Sequence, residues 1–211
     1  MAVTLDELVV ADTADAWRAC GFAVEDDTCV VGEVRIRLAP GEGRGLSGWS
    51  LRGLDSTELD GLPTSRSEPA LPEAAPAHPN GVVALDHVVA ISSDLDRTVA
   101  ALEAAGLDLR RIREEPTPAG APRQAFFRLG EAILEVVQEP PEATERAGGD
   151  RPAFFWGLAF VTPDLDTTVA FFGERAGEAR DAVQPGRRIA TLRRSAGLSL
   201  PVALMTPPAG A

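Results

Sequence analysis

The chain has 211 residues, of which 32 are acidic and 20 basic, and its formal net charge is -12. This balance argues against a nucleic-acid partner, because binding a phosphate backbone needs a basic face, and it gives no support for an anionic membrane surface. No apolar run approaches the roughly 20 residues that span a bilayer, so we expect a soluble protein with enough apolar content to bury a core.

The first residues, MAVTLDELVV, are acidic and lack the basic region that precedes the apolar run of a secretory signal. We therefore expect a cytoplasmic location, in which Cys20 and Cys29 stay reduced. A disulfide between these two cysteines is the alternative.

Residues 1–55 are predicted to form a degenerate βαββ(β) unit. The segments TLDELVVAD and VGEVRIRLAP are typical of strands, and TADAWRACG between them predicts a short helix with Trp17 on its apolar side. GWSLRGL predicts one more strand, which closes the unit near residue 54. Residues 56–80 contain five prolines and no periodicity, so they predict a semi-extended linker in which His78 is solvated.

Residues 81–140 predict a strand, a helix and two further strands. Alternation in ALDHVVAIS places Leu85, His87 and Val89 on one face of the first strand. Ser93 or Asp94 is suited to capping the helix that follows. After an irregular, proline-containing stretch, RQAFFRL and AILEVVQ predict a hairpin that turns at Gly130 and Glu131. Because Phe126 and Phe127 are adjacent in the first of these strands, one of them must face away from the core.

Residues 150–207, after a shorter linker over 140–152, repeat the same order. GLAFVT predicts a strand, PDLDTTVAFFGERAG a helix, and RIATLRR and LSLPVALM two further strands. The repeat is not exact, because Gly157 occupies the position that corresponds to His87. The segment RRIATLRR contains four arginines, Arg187, Arg188, Arg193 and Arg194. They suggest either an anion-binding site or a solvated edge strand, and we favour the edge strand in so acidic a chain.

The segments LDHVVAISSDLDRTVAALEAAGL, AILEVVQ and VTPDLDTTVAFFGERAG resemble the vicinal oxygen chelate superfamily, which includes glyoxalase I, bleomycin-resistance proteins and extradiol dioxygenases. The resemblance is strong over residues 81–207 and weak over 1–55. It implies an α+β fold in which two βαβββ modules pair to form a cup-shaped, curved mixed sheet with helices outside. The unit at residues 1–55 would be a partial third module, packed on the cup or paired with its copy in a homodimer.

The resemblance also implies a divalent metal inside the cup, held by a His from the first strand and a Glu from a later strand of each module. By position, His87 and Glu135 match these ligands. Strand alternation agrees, because Ile133, Glu135 and Val137 share a face and Glu135 can therefore point into the same concavity as His87. We expect their side chains to approach within about 5 Å, directly or through one ion or water. In the third unit the matching positions hold Gly157 and Val202, which cannot bind a metal.

In the first unit the matching positions hold Glu7 and Arg37, of which only Glu7 could be a ligand. Glu7, Gln124 and Gln184 are therefore the candidates for a third ligand. Whether units two and three pair, or units one and two, decides whether Glu7 reaches His87. The short connection between units two and three favours their pairing.

Two functions follow from this resemblance. The first is an enzyme of glyoxalase type, an isomerase, lyase or epimerase that acts on a small oxygenated molecule with or without a metal. Glu135 or Glu7 would then be the base that removes a proton next to a carbonyl. The alternative is a metal-free protein that binds or sequesters small molecules, in which His87 and Glu135 form a polar anchor in an apolar pocket. A structural or subunit-interaction role is the third and weakest hypothesis.

Overall fold

The computed structural model describes residues 2–41, 43–68, 75–117 and 120–208, in which two β-sheets are accompanied by four short α-helices. The strands of the first sheet are β1 (Thr4–Val10), β2 (Thr28–Val31), β3 (Val34–Leu38), β4 (Leu46–Arg52) and β5 (Thr64–Arg66). The strands of the second are β6 (Ala84–Ser92), β7 (Asp108–Arg113), β8 (Gln124–Leu129), β9 (Ala132–Gln138), β10 (Phe154–Val161), β11 (Arg180–Asp181), β12 (Arg188–Thr191) and β13 (Val202–Met205). The helices are α1 (Ala14–Ala19), α2 (Leu95–Ala104), α3 (Pro141–Arg146) and α4 (Leu165–Phe172).

The second sheet joins the two repeated units into one mixed sheet. Its strand order is β11-β12-β13-β10-β6-β9-β8-β7. At the centre, β6 and β10 run antiparallel, and each is flanked on its other side by a parallel strand, β9 and β13 respectively. The first strands of units two and three therefore lie side by side, and the α+β fold with paired modules is confirmed. We call the concave side of this eight-stranded sheet the cup.

The two long helices begin at the same sequence signal. The side chain of Asp94 accepts a hydrogen bond from the Arg97 N–H at the start of α2, and Asp164 accepts from the Thr167 N–H at the start of α4. Each aspartate satisfies a backbone donor that the helix itself leaves free. Buried apolar side chains then recur at helical spacing, and the repeated Asp-Leu-Asp segment thus fixes two equivalent helices.

Five elements were missed by the sequence patterns, two of which are the short strands β2 and β11. Strand β7 lies in the stretch predicted to be irregular, α3 lies in the second predicted linker, and β5 lies inside the proline-rich segment 56–80 and runs parallel to β4. Each is short or exposed, so it lacks the apolar periodicity that marks a longer buried element. The rest of the predicted linker is partly outside the described residues, which exclude 69–74.

The first unit packs against the eight-stranded sheet within the same chain. Phe160 on β10 contacts the rings of Trp17 and Phe22, with centroids 6.3 and 5.4 Å away, and Phe155 contacts Trp49 at 5.0 Å. Buried apolar residues of both sheets accordingly belong to one hydrophobic core. A homodimer through this unit stays a prediction.

His78 is buried, and the prediction of a solvated side chain was wrong. Its exposed fraction is 7%. Its Nδ1 accepts a hydrogen bond from the Ala23 N–H at 3.0 Å, and its Nε2–H donates to the Val30 carbonyl oxygen at 3.0 Å. The ring joins the loop after α1 to strand β2 of the first unit, a tertiary role that a proline-rich sequence context does not show.

Candidate active site in the cup

A β-bulge at Asp86 shapes the centre of the cup. Along β6, His87 is paired with Ala159 and Leu85 with Phe160 of β10, so Asp86 is an extra residue without a partner in that ladder. A bulge re-aims the side chains beside it. As a result Asp86 and His87, although adjacent in sequence, both line the cavity, whereas Leu85 is buried in the core.

His87 and Glu135 meet on this concave face. In the parallel register of β6 and β9, His87 is opposite Ile133 and Val89 is opposite Glu135. The His87 Nε2 atom lies 3.4 Å from Glu135 Oε2, and both side chains are 13% exposed. The two side chains were expected to approach within about 5 Å, and they do so directly.

Asp86 orients the histidine ring and is itself held by an arginine. The His87 Nδ1–H donates to Asp86 Oδ2 at 2.7 Å, and Arg187 Nη2 donates to Oδ1 at 2.5 Å. Burial raises the pKa of Asp86, but the hydrogen bonds and charges of His87 and Arg187 outweigh burial and leave that pKa below its ordinary value. Asp86 is therefore an ionised carboxylate, and Nε2 is the ring nitrogen directed at Glu135.

Arg187 is buried, with an exposed fraction of 8%. Its Nε and Nη2 atoms also donate to the Thr206 carbonyl oxygen, at 2.8 and 2.6 Å. The prediction of a solvated edge strand was thus wrong for Arg187. Arg188 is solvated as predicted, being 41% exposed and paired with exposed Asp166, but its strand β12 is not the edge strand because β11 pairs with it.

Glu135 is a carboxyl group whose environment disfavours its charge. Burial raises its pKa above the ordinary value, and the opposing effects of His87 and of the hydrogen bond from Gln124 Nε2 do not cancel this rise. A carboxyl with a raised pKa can take up and release a proton closer to neutral pH than an exposed one. The two carboxyl groups therefore have pKa values shifted in opposite directions. Asp86 is held in its ionised form, whereas Glu135 accepts a proton more readily than an exposed carboxylate does.

The cavity above these residues has a volume of about 1360 Å³. Its lining is largely apolar and includes Val89, Ile91, Phe126 and Trp156. Phe126 faces the cavity and Phe127 is fully buried, as their adjacency in β8 predicted. A recess of about 200 Å³ at one end contains Asp86, His87, Glu135, Arg111 and Arg187.

Comparison with known proteins identifies the fold family. Residues 84–200, more than half of the chain, match the Glyoxalase/Bleomycin resistance protein/Dioxygenase superfamily. The chain belongs to this superfamily. No curated protein gives a significant sequence match.

Solved structures resemble this superfamily member at low sequence identity, which shows the fold alone. A xylose isomerase-like TIM barrel/4-hydroxyphenylpyruvate dioxygenase fusion protein aligns with a TM-score of 0.64 and 13% identity, over 99% of this chain and 49% of that one. Methylmalonyl-CoA epimerase from Mycobacterium tuberculosis aligns with a TM-score of 0.49 and 20% identity, over 61% and 90% of the two chains. The Streptomyces coelicolor enzyme in complex with 2-nitronate-propionyl-CoA gives a TM-score of 0.49 and 22% identity, over 61% and 96%.

The donor groups of this chain do not fit the four-ligand metal centre of the superfamily. Among the residues that the structure describes, no group of three or more His, Cys, Asp or Glu side chains is arranged to hold a metal ion. His87 and Glu135 are two donors, while the neighbouring Asp86 is engaged by Arg187 and Gln124 donates its amide N–H to Glu135. Gln184 lines the recess.

Glu7 lies away from the cup, on the first sheet. It is opposite Arg35 on β3 and Ser50 on β4, and its Oε1 lies 3.4 Å from Arg37 Nε. Because β6 pairs with β10 rather than with β1, Glu7 does not lie opposite His87. The structure brings together His87, Glu135 and Gln124 of the predicted residues, and it separates Glu7 from them.

Close packing at Gly157 explains why the histidine occurs only once. A Cβ atom on Gly157 would lie 2.6 Å from the Pro201 carbonyl oxygen, closer than such atoms approach in proteins. Strand β13 therefore runs directly against this position of β10. In the third unit, the position that corresponds to His87 is packed against the backbone at Pro201 and has no room for a side chain.

Sequence reasoning missed Asp86 and Arg187. One signal was available for Asp86, because LDH in the second unit repeats LDE in the first. The matching residue Asp6 also lies at a register shift of its strand, and its carboxylate accepts hydrogen bonds from Arg35 and Arg52, both at 2.6 Å. An aspartate repeated inside an apolar strand needs a buried partner. The sequence does not show which arginine pairs with Asp86, because Arg187 is 101 residues away and reaches it only in the folded chain.

The two cysteines have no place in this site. Both are free and buried, and burial raises the pKa of the Cys29 thiol to about 12. Within the described part of the chain, no helix has the length and apolarity needed to cross a membrane.

Proposed function

We propose that this superfamily member is an enzyme that moves a proton at a carbon next to a carbonyl group of a small oxygenated molecule bound in the cup. One observation carries the proposal: the buried Glu135 carboxyl, with its raised pKa, lies 3.4 Å from His87 Nε2 at the floor of an open cavity. Proton abstraction of this kind is common to isomerases, epimerases and some lyases.

Glu135 is the base in this proposal. It takes the proton from carbon, and the electron pair of the broken C–H bond forms a C=C bond while the carbonyl electrons move to oxygen. The mechanism requires the imidazolium form of His87, which donates from Nε2 to this oxygen while the Asp86 carboxylate, 2.7 Å from Nδ1, stabilises the ring charge. Return of a proton from Glu135 to carbon completes the reaction. No step in this mechanism needs a metal ion. His87 and Glu135 supply only two ligands, which is too few to bind a metal ion tightly.

Arg187 and Gln124 are positioning residues. Arg187 keeps Asp86 ionised and so keeps the proton on Nδ1 of the ring, which directs Nε2 into the cup. Gln124 Nε2 donates to Glu135 Oε1 and holds that carboxyl toward the cavity. A base must be held within hydrogen-bonding reach of its substrate to work efficiently.

Deuterium exchange tests the proposal even though the natural substrate is not identified. A panel of small 2-oxo acids, hydroxyketones and acyl thioesters is incubated with the protein in D₂O, and incorporation next to the carbonyl is followed by NMR. Glu135→Gln should lower the rate of any accelerated exchange by about 10²–10⁴-fold, the usual contribution of a positioned base.

Glu33→Gln is the matched control for this experiment. Glu33 is exposed and follows Gly32 at the turn between β2 and β3, outside the cup, so the same chemical change there should leave the exchange rate unaltered. Exchange that persists in Glu135→Gln would refute the proposed role. Tight binding of a panel member with no exchange would favour the alternative function of small-molecule sequestration.

A further inference from the structure

The rim of the cup carries an exposed arginine that contacts an aromatic ring. Arg111 on β7 lines both the cavity and the recess. Its guanidinium carbon lies 4.9 Å from the centroid of the Phe126 ring. Among the described residues no carboxylate forms an ion pair with Arg111, although acidic residues outnumber basic ones by 32 to 20 in this chain.

A second bulge places Arg111 on the concave side. Leu109 is opposite Phe127 and Arg111 is opposite Phe126, so Arg110 is the extra residue of β7. Phe127 faces the core and Phe126 faces the cup, and Arg111 therefore shares the face of Phe126. Both Arg110 and Arg111 are exposed, but Arg110 pairs with Asp108 at 3.0 Å, whereas the Arg111 guanidinium lies over the Phe126 ring.

Arg111 and the proposed base lie in one row across the sheet. Arg111 is opposite Phe126, and Phe126 is opposite Glu135. Neighbouring strands are about 4.8 Å apart, so the Cα atoms of Arg111 and Glu135 are separated by roughly 10 Å. Both side chains reach into the same recess of about 200 Å³, which suits the compact end of a ligand.

The contact with Phe126 leaves the arginine ready to bind an anion. An aromatic face attracts the guanidinium but takes none of its in-plane N–H donors, which match the oxygens of a carboxylate or phosphate. Three carboxylates near this rim are paired with other arginines: Glu114 with Arg123, Glu115 with Arg113 and Glu139 with Arg151. Asp181 also lines the cavity, and Glu131, at the turn after β8, borders the recess.

We propose that Arg111 is a specificity-determining residue that binds an oxyanion of the substrate, a carboxylate or a phosphate, while the carbon acid faces Glu135. This inference rests on the proposed function, because it names the chemical class of its substrate. The ligand is then a compact acid whose anionic group and reacting carbon fit within one recess, and the remaining cavity holds any larger attached group.

Binding of simple probes to the full chain tests the assignment without turnover. Inorganic phosphate, propionate and the uncharged propionamide are titrated while the side-chain Nε–H signals of arginine are followed by NMR. We expect phosphate, propionate or both to saturate, and Arg111→Gln to weaken that binding at least tenfold. Saturation by only one of the two acids identifies the anionic group.

Arg110→Gln is the matched control, since it removes the same charge from the neighbouring position of the same strand. It should leave the dissociation constant within twofold of the wild-type value. Equal weakening by both variants would mean general electrostatic attraction and would overturn the assignment. So would propionamide binding as tightly as propionate, or the absence of saturation by either acid.

The outcome is separable from that of the proposed function. Glu135→Gln should keep anion binding while it loses deuterium exchange. If Glu135→Gln retains deuterium exchange but Arg111→Gln no longer binds the anion, the assignment of Glu135 as the base is refuted and the assignment of Arg111 as the anion site is supported. If Glu135→Gln loses exchange but anion binding is absent, the base stands and the anion site is wrong.

Discussion

The Asp86 carboxylate and the Arg187 guanidinium form a buried pair that joins the first strand of one module to the loop before β12 in the other. Arg187 Nη2 lies 2.5 Å from Asp86 Oδ1, and the two side chains are 8% and 11% exposed. Removing one partner of a buried pair leaves an uncompensated charge, which costs more than the pair itself contributes.

Arg187→Met should therefore destabilise the protein by about 3 kcal/mol, measured by urea unfolding at pH 7. Arg188→Met is the control on the adjacent residue. Its partner Asp166 is 71% exposed, and exposed pairs contribute about 0–1 kcal/mol. Similar losses in both variants would contradict a buried role for Arg187.

Glu135 should make the protein less stable as the pH rises. Its pKa is raised in the folded state, so the folded state binds the proton more tightly. The resulting stabilisation is complete below the unfolded pKa, near 4.5, and is lost as the pH rises through the folded value.

Glu135→Gln, which resembles the protonated form, should thus raise the melting temperature at pH 8 by roughly 2–4 °C, the shift that 1 kcal/mol produces in a chain of this size. The difference from wild type should shrink toward pH 4. Calorimetry from pH 4 to 8 measures both, and a constant difference would show that the Glu135 charge is not responsible.

His78 should give the opposite pH dependence. Burial lowers its pKa, against the weaker effect of the hydrogen bond to Val30, so the folded state disfavours the charged ring. The stability that neutral His78 supports is present above the unfolded pKa of about 6.5 and is lost as the pH falls through and below that value.

His78→Ala should cost about 2–3 kcal/mol at pH 7, because two backbone hydrogen bonds lose their partner. The cost should be smaller at pH 5, where the wild-type ring opposes folding. Urea unfolding at the two pH values tests this expectation. An equal cost at both would mean that the ring does not titrate on unfolding in this range.

Gly157→Ala should destabilise the protein by about 1–3 kcal/mol, because the new Cβ would overlap the Pro201 carbonyl oxygen. Gly177→Ala is the control in the same module. Its nearest contact would be 3.4 Å, and we expect a change within about 0.5 kcal/mol. A stable Gly157→Ala variant would refute steric exclusion as the reason for the missing second histidine.

Addition or chelation of divalent metal should leave the melting temperature unchanged within about 1 °C. Asp86 is held by His87 and Arg187, and Glu135 is held by Gln124. A site with two protein ligands gives a metal little preference for the folded state. A large chelator-induced decrease would show that further ligands complete a metal centre.

Much of the fold is encoded locally. The repeated strand and Asp-Leu-Asp helix cap predict two equivalent modules, since a cap and an apolar period act over a few residues. Strand alternation places Glu135 on the face of Ile133 and Val137, and the resemblance to the superfamily places His87 in the same concavity. Strand β7 and the burial of His78 were missed because both depend on contacts with segments distant in sequence.

The sequence by itself determined the repeat, the superfamily resemblance and the two residues that meet in the cup. Only the tertiary structure decided that units two and three pair, that a bulge turns Asp86 toward the cavity, and that Arg187 holds it from 101 positions away. The physical reason is that periodicity records which face of an element is apolar, whereas register shifts and buried ion pairs arise when whole elements pack together.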